Sequence, residues 1–423
     1  MKKILALLLA VVMLMSLAAC GGSGNEGEEE KSTLTIGAIY INSKNDTAGY
    51  TYAHHNGIVT AMKSLGMDPE KQLVIRDEVP EDKQKVKDAV DALVGEGADI
   101  IFGISFGYID ALNEAAEEYP EVIFSHATGY LANETNFNNY FGRIYQARYL
   151  AGIAAGLKSL ETGNNNVGYV AAHTTDYAET ASGINGFALG VQAVNPNAQI
   201  YVKNLNNWAD EVNEKAYAEE LINSYNCGVI SQHCDSAQPQ IAAANAGKFG
   251  CGYNSDMTKD APTGHLTAAI WNWDVYYATA IKAAQACEGD ASKFVEKMGG
   301  NAYYGGLKEG FVDVSALTEN CSKGTKEAIE KVKAMMVNGE WDVFTGYKLN
   351  ITVAADGTVT VEKVEAALQS NGMQFKDGKF DVAMENPVVV EAGGASLDDG
   401  VLKGSMNYLV DGVIEIGVGG GIG

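Results

Sequence analysis

From Thr33 onward the chain exchanges short apolar runs for segments of helical period. Residues 34–41 read as a strand, and Ile58, Val59, Met62 and Leu65 then share one helical face. A strand at 72–75 precedes a helix through Val86, Ala89, Val90 and Leu93 that stops at Gly95 and Gly97. Strand 99–104, helix 109–118, strand 122–124 and a helix over 148–157, rich in small residues suited to close packing, complete a first run. A second run follows: strands at 167–172, 199–202, 228–231, 249–253 and 266–270, with helices ending at Val194 and over 211–224, 241–246 and 275–286. Regular alternation of buried, β-branched strands with helices predicts parallel sheets covered on both faces. Two such runs joined near Gly142–Tyr145 predict an α/β protein of two doubly wound lobes with a ligand cleft between them. Beyond about Thr345 the pattern changes to alternating β-branched residues around Asp356-Gly357 and Asp377-Gly378, which predicts hairpins in a small C-terminal β extension. The tail 419–423 is expected to be disordered.

The N-terminus has a different grammar. Lys2-Lys3, the apolar run 4–17 and Ala18-Ala19 lay out a secretory signal, and the run falls short of the ~18–20 residues of a spanning helix. Leu17-Ala18-Ala19-Cys20 looks like a bacterial lipobox, with Cys20 the lipidated mature N-terminus, and 21–32 reads as a flexible acidic tether. The expected division is therefore 1–20 signal and lipobox, 21–32 linker, 33–144 with 271–300 first lobe, 145–270 with 301–345 second lobe, and 346–423 extension and tail. A net charge of −24 argues against nucleic acid and against docking to anionic lipid through basic patches. Five cysteines remain after Cys20, an odd number without C-x-x-C spacing, so neither a zinc site nor a disulfide framework is implied. Cys227, Cys234 and Cys251, in or beside strands, read as small buried apolar groups.

In open parallel sheets ligands bind beyond the carboxyl ends of the strands. Those ends carry Asn45-Asp46 and Tyr50, Ser105-Phe106-Gly107-Tyr108, His126-Ala127-Thr128-Gly129-Tyr130, His233-Cys234-Asp235, Asn254-Ser255-Asp256 and Trp271-Asn272-Trp273. Any one of these aromatic rings is explained by core packing; gathered at strand ends beside Asn and Asp they suit a flat, polar-edged heterocycle. Catalytic machinery is not visible. The six histidines are scattered, His54-His55 diverge on a helix, and neither a G-x-S-x-G elbow nor a phosphate loop occurs. His233 with Asp235, or Asp46 with Asp256 as an acid/base pair, lacks a nucleophile or metal, and Asp46 with Thr47 is as readily a helix cap. No metal or cofactor is expected.

The motifs Gly49-Tyr50-Thr51-Tyr52-Ala53-His54, Ser105-Phe106-Gly107-Tyr108, His126-Ala127-Thr128-Gly129-Tyr130, Tyr140-Phe141-Gly142-Arg143, Gly252-Tyr253-Asn254-Ser255-Asp256-Met257 and Trp271-Asn272-Trp273 occur in one order. In that order they resemble the basic membrane protein family of substrate-binding lipoproteins, in the branch close to the Med-type regulators, over about residues 33–347. The resemblance implies a type I periplasmic-binding-protein fold, an ABC permease with its ATPase as partner, and a purine base or nucleoside as ligand. It further implies a monomer held by lipid on the extracytoplasmic side of the membrane. Tyr50 stands where the branch usually has Trp, and His55-Asn56 replaces Asp-Gln. Nucleoside binders carry Asp near the position of Asn254, so Asn254 points towards a free base such as adenine. The expected ligand set is Asn45, Asp46, Tyr50, Phe106, Tyr108, Thr128, Asn254, Asp256, Trp271 and Asn272. Phe106 would take one ring face, Tyr50 or Trp271 the other, while Asn254, Asp256 and Asn272 read the edge. A purine sensor without transport, and a nucleoside hydrolase, stand as alternatives. The segment 348–405 has no recognised counterpart, whereas 406–413 resembles the family's usual ending.

Overall fold

The computed structural model describes residues 34–46 and 49–417. The expected signal sequence, Cys20, the acidic tether and the glycine-rich tail lie outside the described residues. The first lobe begins β1 (Ile36–Tyr40), α1 (Gly49–Ser64), α2 (Pro69–Gln72), β2 (Leu73–Arg76), α3 (Lys83–Gly95) and β3 (Ile100–Ile104). It continues through α4 (Ile109–Glu118), β4 (Ile123–Ala127) and β5 (Phe137–Gly142). The second lobe runs α5 (Ile144–Thr162), β6 (Asn166–Ala171), α6 (Ala178–Val194), β7 (Gln199–Asn204), α7 (Glu211–Asn223), β8 (Val229–His233), α8 (Gln238–Asn245), β9 (Phe249–Asn254) and β10 (His265–Trp271). The chain then returns through α9 (Trp273–Gln285), α10 (Phe294–Met298) and β11 (Ala302–Gly305), and crosses again to β12 (Val312–Val314) and α11 (Thr325–Val337). The remaining elements are β13 (Tyr347–Val353), β14 (Val359–Glu365), β15 (Leu368–Lys376), β16 (Lys379–Ala383), β17 (Val388–Val390), α12 (Asp399–Gly404), β18 (Tyr408–Val410) and β19 (Val413–Ile416).

The two large sheets have the orders β11-β5-β4-β3-β1-β2 and β12-β10-β9-β8-β6-β7-β19. Every pairing within them is parallel except β10 with β12. Both lobes thus share one winding, which reverses between β1 and β3 and between β6 and β8; these switch points open crevices at the strands' carboxyl ends. β1, β3 and β4 are buried throughout, as strands covered on both faces should be; β1 and β3 are apolar runs, whereas β4 also buries Ser125 and His126. In the second lobe α5 and α6 meet at glycines. A Cβ on Gly152 would lie 2.2 Å from the Phe187 carbonyl oxygen, and one on Gly190 would lie 2.1 Å from that of Tyr149. The small-residue helix packs as its sequence implied.

Three crossings join the lobes, at Arg143, at Asn272 and over 306–311. They are bonded to one another: Arg143 N–H donates to the Gly305 carbonyl at 2.7 Å, and Asn272 N–H to that of Phe311 at 2.8 Å. Two details differ from the expected division. The segment 301–345 was expected in the second lobe, but β11 pairs with β5 and completes the first sheet. Residues 346–423 were expected to form one extension, but β19 pairs with β7 in the second sheet. The reason is the same in each case: a four-residue strand covers the unpaired backbone groups of a sheet edge, at β5 and at β7. The extension itself has antiparallel hairpins turning at Asp356-Gly357 and Asp377-Gly378, as expected. Among the described residues all five cysteines are free, four of them buried. No described helix is long and apolar enough to cross a membrane.

Candidate functional site

The first lobe presents its chemistry on short, pinned loops. After β3 the chain turns through one 3-10 turn, Phe106–Tyr108. Glu81 holds this turn from below, accepting from the Ser105 hydroxyl at 2.5 Å and from the Gly107 N–H at 2.7 Å. A Cβ at Gly107 would meet the Glu81 carboxyl carbon at 2.6 Å, so only glycine lets the carboxylate approach this closely. The Phe106 ring is therefore held rigidly outward, 54% exposed, with the 68% exposed Tyr130 ring 6.4 Å away. Tyr130 follows Thr128, a β-branched residue with φ of 62°, and Gly129, which packs on the buried His126 ring. Burial pushes His126 down to about 4, so it is neutral at physiological pH, with Nε2 bonded to the Ser105 carbonyl at 2.7 Å.

The second lobe gathers charge and further rings at the ends of β6, β8 and β9. Arg148, from α5, is only 3% exposed, and its guanidinium lies 5.1 Å from the Tyr253 ring centre. Burial, with Arg148 beside it, pushes His233 down to about 4. The neutral ring donates from Nε2 to the Glu179 carboxylate at 3.0 Å. Arg148 Nη2 and the Trp271 indole N–H both reach Asn254 Oδ1, at 3.4 and 3.1 Å. Asp235, hemmed in by protein although solvent reaches it, is pushed up to about 6 by desolvation and by the charge of Glu214. Tyr177, His173 and Trp208 form a ring cluster, His173 lying 4.4 Å from Tyr177 and 5.3 Å from Trp208. Asp176 holds the His173 Nδ1 at 2.9 Å.

The residues singled out in the sequence fare differently. Phe106 is outward and unstacked, Thr128 and Asn254 stand at strand ends, and Asn45 and Asp46 lie on the loop after β1. Tyr50 is half-buried, edge-on to His54 at 4.3 Å. Trp271 gives one face to Trp273, stacked at 4.6 Å and 12°, and belongs to the hinge as much as to the cleft. One expectation is corrected, and two further residues carry structural bonds. Tyr108 is fully buried and its hydroxyl donates to the Val79 carbonyl at 2.5 Å, because the 3-10 turn sends it inward where it sends Phe106 outward. Asn272 spends its amide on the Gly310 carbonyl at 2.8 Å, tying two crossings together. Asp256 caps its own turn, accepting from Thr258 N–H and hydroxyl at 2.9 and 2.6 Å. Conversely, Arg148, Glu179, Tyr177 and Trp208 went unread. Arg148 had a signal: it is the sole charge in the run 144–157.

Two like lobes, a three-strand hinge and polar and aromatic groups at facing crevices define a two-lobed solute-binding protein of the periplasmic-binding-protein fold. The family model of the PnrA-like ABC transporter substrate-binding proteins (Bmp) matches residues 35–343, and the chain belongs to that family. It is 32% identical over 318 residues to the purine-binding protein of Brucella abortus (strain 2308), covering 75% of this chain and 84% of that one. It is also 32% identical over 327 residues to TsgA13 of Haloferax volcanii, provisionally named an ABC transporter glucose-binding protein, covering 77% of each. An ABC transporter solute-binding protein from Conexibacter woesei superposes with a TM-score of 0.58 at 17% identity, over 73% of this chain and 98% of that one. The chain is thus an extracytoplasmic substrate-binding protein of an ABC transporter, and not an enzyme.

Proposed function

We propose that this protein captures a purine base or nucleoside between its lobes and delivers it to an ABC permease from the outer face of the membrane, anchored by lipid on Cys20. The observation that carries the reading is the Phe106 ring, outward, unstacked and held rigid by Glu81. A flat base stacking on such a ring gains roughly 1–3 kcal/mol. On the other lobe Tyr177 and Trp208 offer further ring surface, while Asp235 is an acceptor suited to an exocyclic amino group. The Brucella relative supports the same ligand class. Ligand binding stabilises the closed arrangement by hinge rotation, to the extent that its affinity differs between the open and closed states.

The name of the Haloferax relative motivates a second reading, a hexose, since aromatic rings also stack on pyranose faces. Calorimetry on the refolded, ligand-stripped body decides between them, with adenine, adenosine, guanosine and glucose as titrants. Purine binding lost in Phe106→Ala supports the proposal. Binding of glucose with no purine signal overturns it.

A further inference from the structure

Asn254 ends β9 in the left-handed region, with φ of 56°, a conformation that asparagine adopts more readily than most residues. Its carboxamide has two chemically distinct poles, and three neighbours decide which one is free. The Trp271 indole nitrogen, 3.1 Å away, can only donate. The Arg148 guanidinium, 3.4 Å away, can only donate as well. His233 also lies 3.4 Å from that guanidinium nitrogen, but its Nε2 proton is committed to Glu179, so it offers Arg148 no lone pair. The acceptor left to both donors is Asn254 Oδ1. A flipped amide would set its N–H bonds against two further N–H donors, one of them on an almost fully buried arginine. Among the described residues nothing accepts from Nδ2.

We infer that Asn254 is a donor-only reader in the cleft: Trp271 and Arg148 lock its carboxamide, so the ligand atom it meets must be a hydrogen-bond acceptor. A ring nitrogen with a free lone pair, or a carbonyl oxygen, satisfies it; a ring N–H in the same place does not. Trp271 and Arg148 are positioning residues that set this polarity through Asn254. Trp271 adds a consequence of its own, because it leads into the second hinge crossing. The lock is therefore built from the element that moves on closure. The ligand half of this inference rests on the purine reading above, while the lock does not.

The test has two arms on the whole extracytoplasmic body. In the ligand-free protein the Trp271 indole proton, assigned by its loss in Trp271→Phe, is followed by nuclear magnetic resonance. It should resist exchange in the wild type, exchange freely in Asn254→Ala, and stay protected in Asn254→Asp, whose carboxylate still accepts from it. An indole proton that exchanges alike in wild type and Asn254→Ala overturns the lock, whatever the ligand. In the second arm adenine and its 1-, 3- and 7-deaza analogues are titrated, each analogue replacing one acceptor nitrogen by C–H. One analogue should bind the wild type roughly 10-fold more weakly than adenine, and that gap should close in Asn254→Ala. Asn254→Asp should lose adenine by a similar factor while keeping its fold. Adenine binding that Asn254→Asp leaves unchanged, or a deaza gap that persists in Asn254→Ala, overturns the donor role. If no purine binds, the purine reading fails and the first arm alone decides the lock.

Discussion

Thr128 and Asn254 are counterparts: one follows β4 and the other ends β9, the fourth strands of the two lobes, and both are non-glycine residues in the left-handed region, with φ of 62° and 56°. Asn tolerates that region through local hydrogen bonding, whereas a β-branched residue is strained there. Strain of this kind, on the order of 1–3 kcal/mol, persists where the surroundings over-determine it and clusters at ligand sites. Both residues stand at strand ends: Thr128 lies two residues before the exposed Tyr130 ring, and Asn254 is bonded to the buried Arg148.

Thr128→Gly removes the strain at the first of these positions. The variant should melt about 1–2 °C higher than the wild type, since glycine adopts φ of 62° freely and only part of the gain is lost to backbone entropy. Purine affinity should fall, because the segment presenting Tyr130 loses its fixed entry angle. Thermal unfolding and calorimetry on the same sample check both signs, and a lower melting temperature would refute the assignment of strain.

Glu81 tests how far the rigidity of Phe106 matters. Glu81→Ala leaves the Ser105 hydroxyl and the Gly107 N–H without their acceptor and lets the turn move. Ordering that turn anew on binding should weaken purine affinity by roughly 3–10-fold. Phe106→Ala, which removes the stacking face itself, should weaken it by roughly 10–100-fold. Equal affinities for Glu81→Ala and wild type would mean that the turn holds its shape without Glu81.

Asp235 gives the molecule a pH signature. Its folded carboxyl titrates at about 6, above the ordinary aspartate range, so the native state holds a proton that the unfolded chain has released. Stability from this group is therefore greatest near pH 4, falls as pH rises to about 6, and is level above that. Asp235→Asn should melt higher than wild type at pH 7.5, with the difference shrinking towards pH 4.5. Purine binding should weaken in the wild type below about pH 6, where the carboxyl loses its charge and accepts from an amino group less strongly. A constant offset between the two melting curves would place the cost elsewhere.

The parts of this molecule that were legible in its sequence are those where periodicity or an unusual side chain survives at the surface. The alternation of β1, β3, β6 and β8 with their helices is plain because each strand carries a short run of apolar, largely β-branched residues. β5 was hidden because Asn138 and Asn139 interrupt it; the structure satisfies Asn138 through the Tyr276 hydroxyl at 3.0 Å, a partner 138 residues away. β11 was hidden because four residues carry no period. Phe106 and Tyr108 look alike in sequence, and only the 3-10 geometry separates a presented ring from a core ring. Asn272 reads as a ligand residue until the third crossing is in place, because its partner Gly310 belongs to that crossing. Arg148 was passed over because a helix of small apolar residues suggests packing alone. Its charge becomes meaningful once β8 and β9 bring His233 and Asn254 to it.

Arg143 and Asp399 join the first crossing to the extension. The guanidinium donates from Nε and Nη2 to the two carboxylate oxygens, at 3.0 and 2.5 Å. Arg143 and Lys403 also lie 5.4 and 5.3 Å from the ring centre of Tyr304, in the strand β11 that leads into the third crossing. One short helix of the extension, α12, therefore bonds to the first crossing and packs on the strand that leads into the third. The Arg143–Asp399 pair is bidentate but about one-third exposed, so its loss should cost about 1 kcal/mol, or roughly 2 °C in melting temperature. The larger effect of Asp399→Ala should be on motion: the ligand-free protein should sample a wider range of interlobe distances. Paired fluorescent labels on the outer faces of α3 and α7 would read that range directly. A distribution as narrow as in the wild type, in a variant whose melting temperature has fallen, would mean that the extension stabilises the second lobe without restraining the hinge.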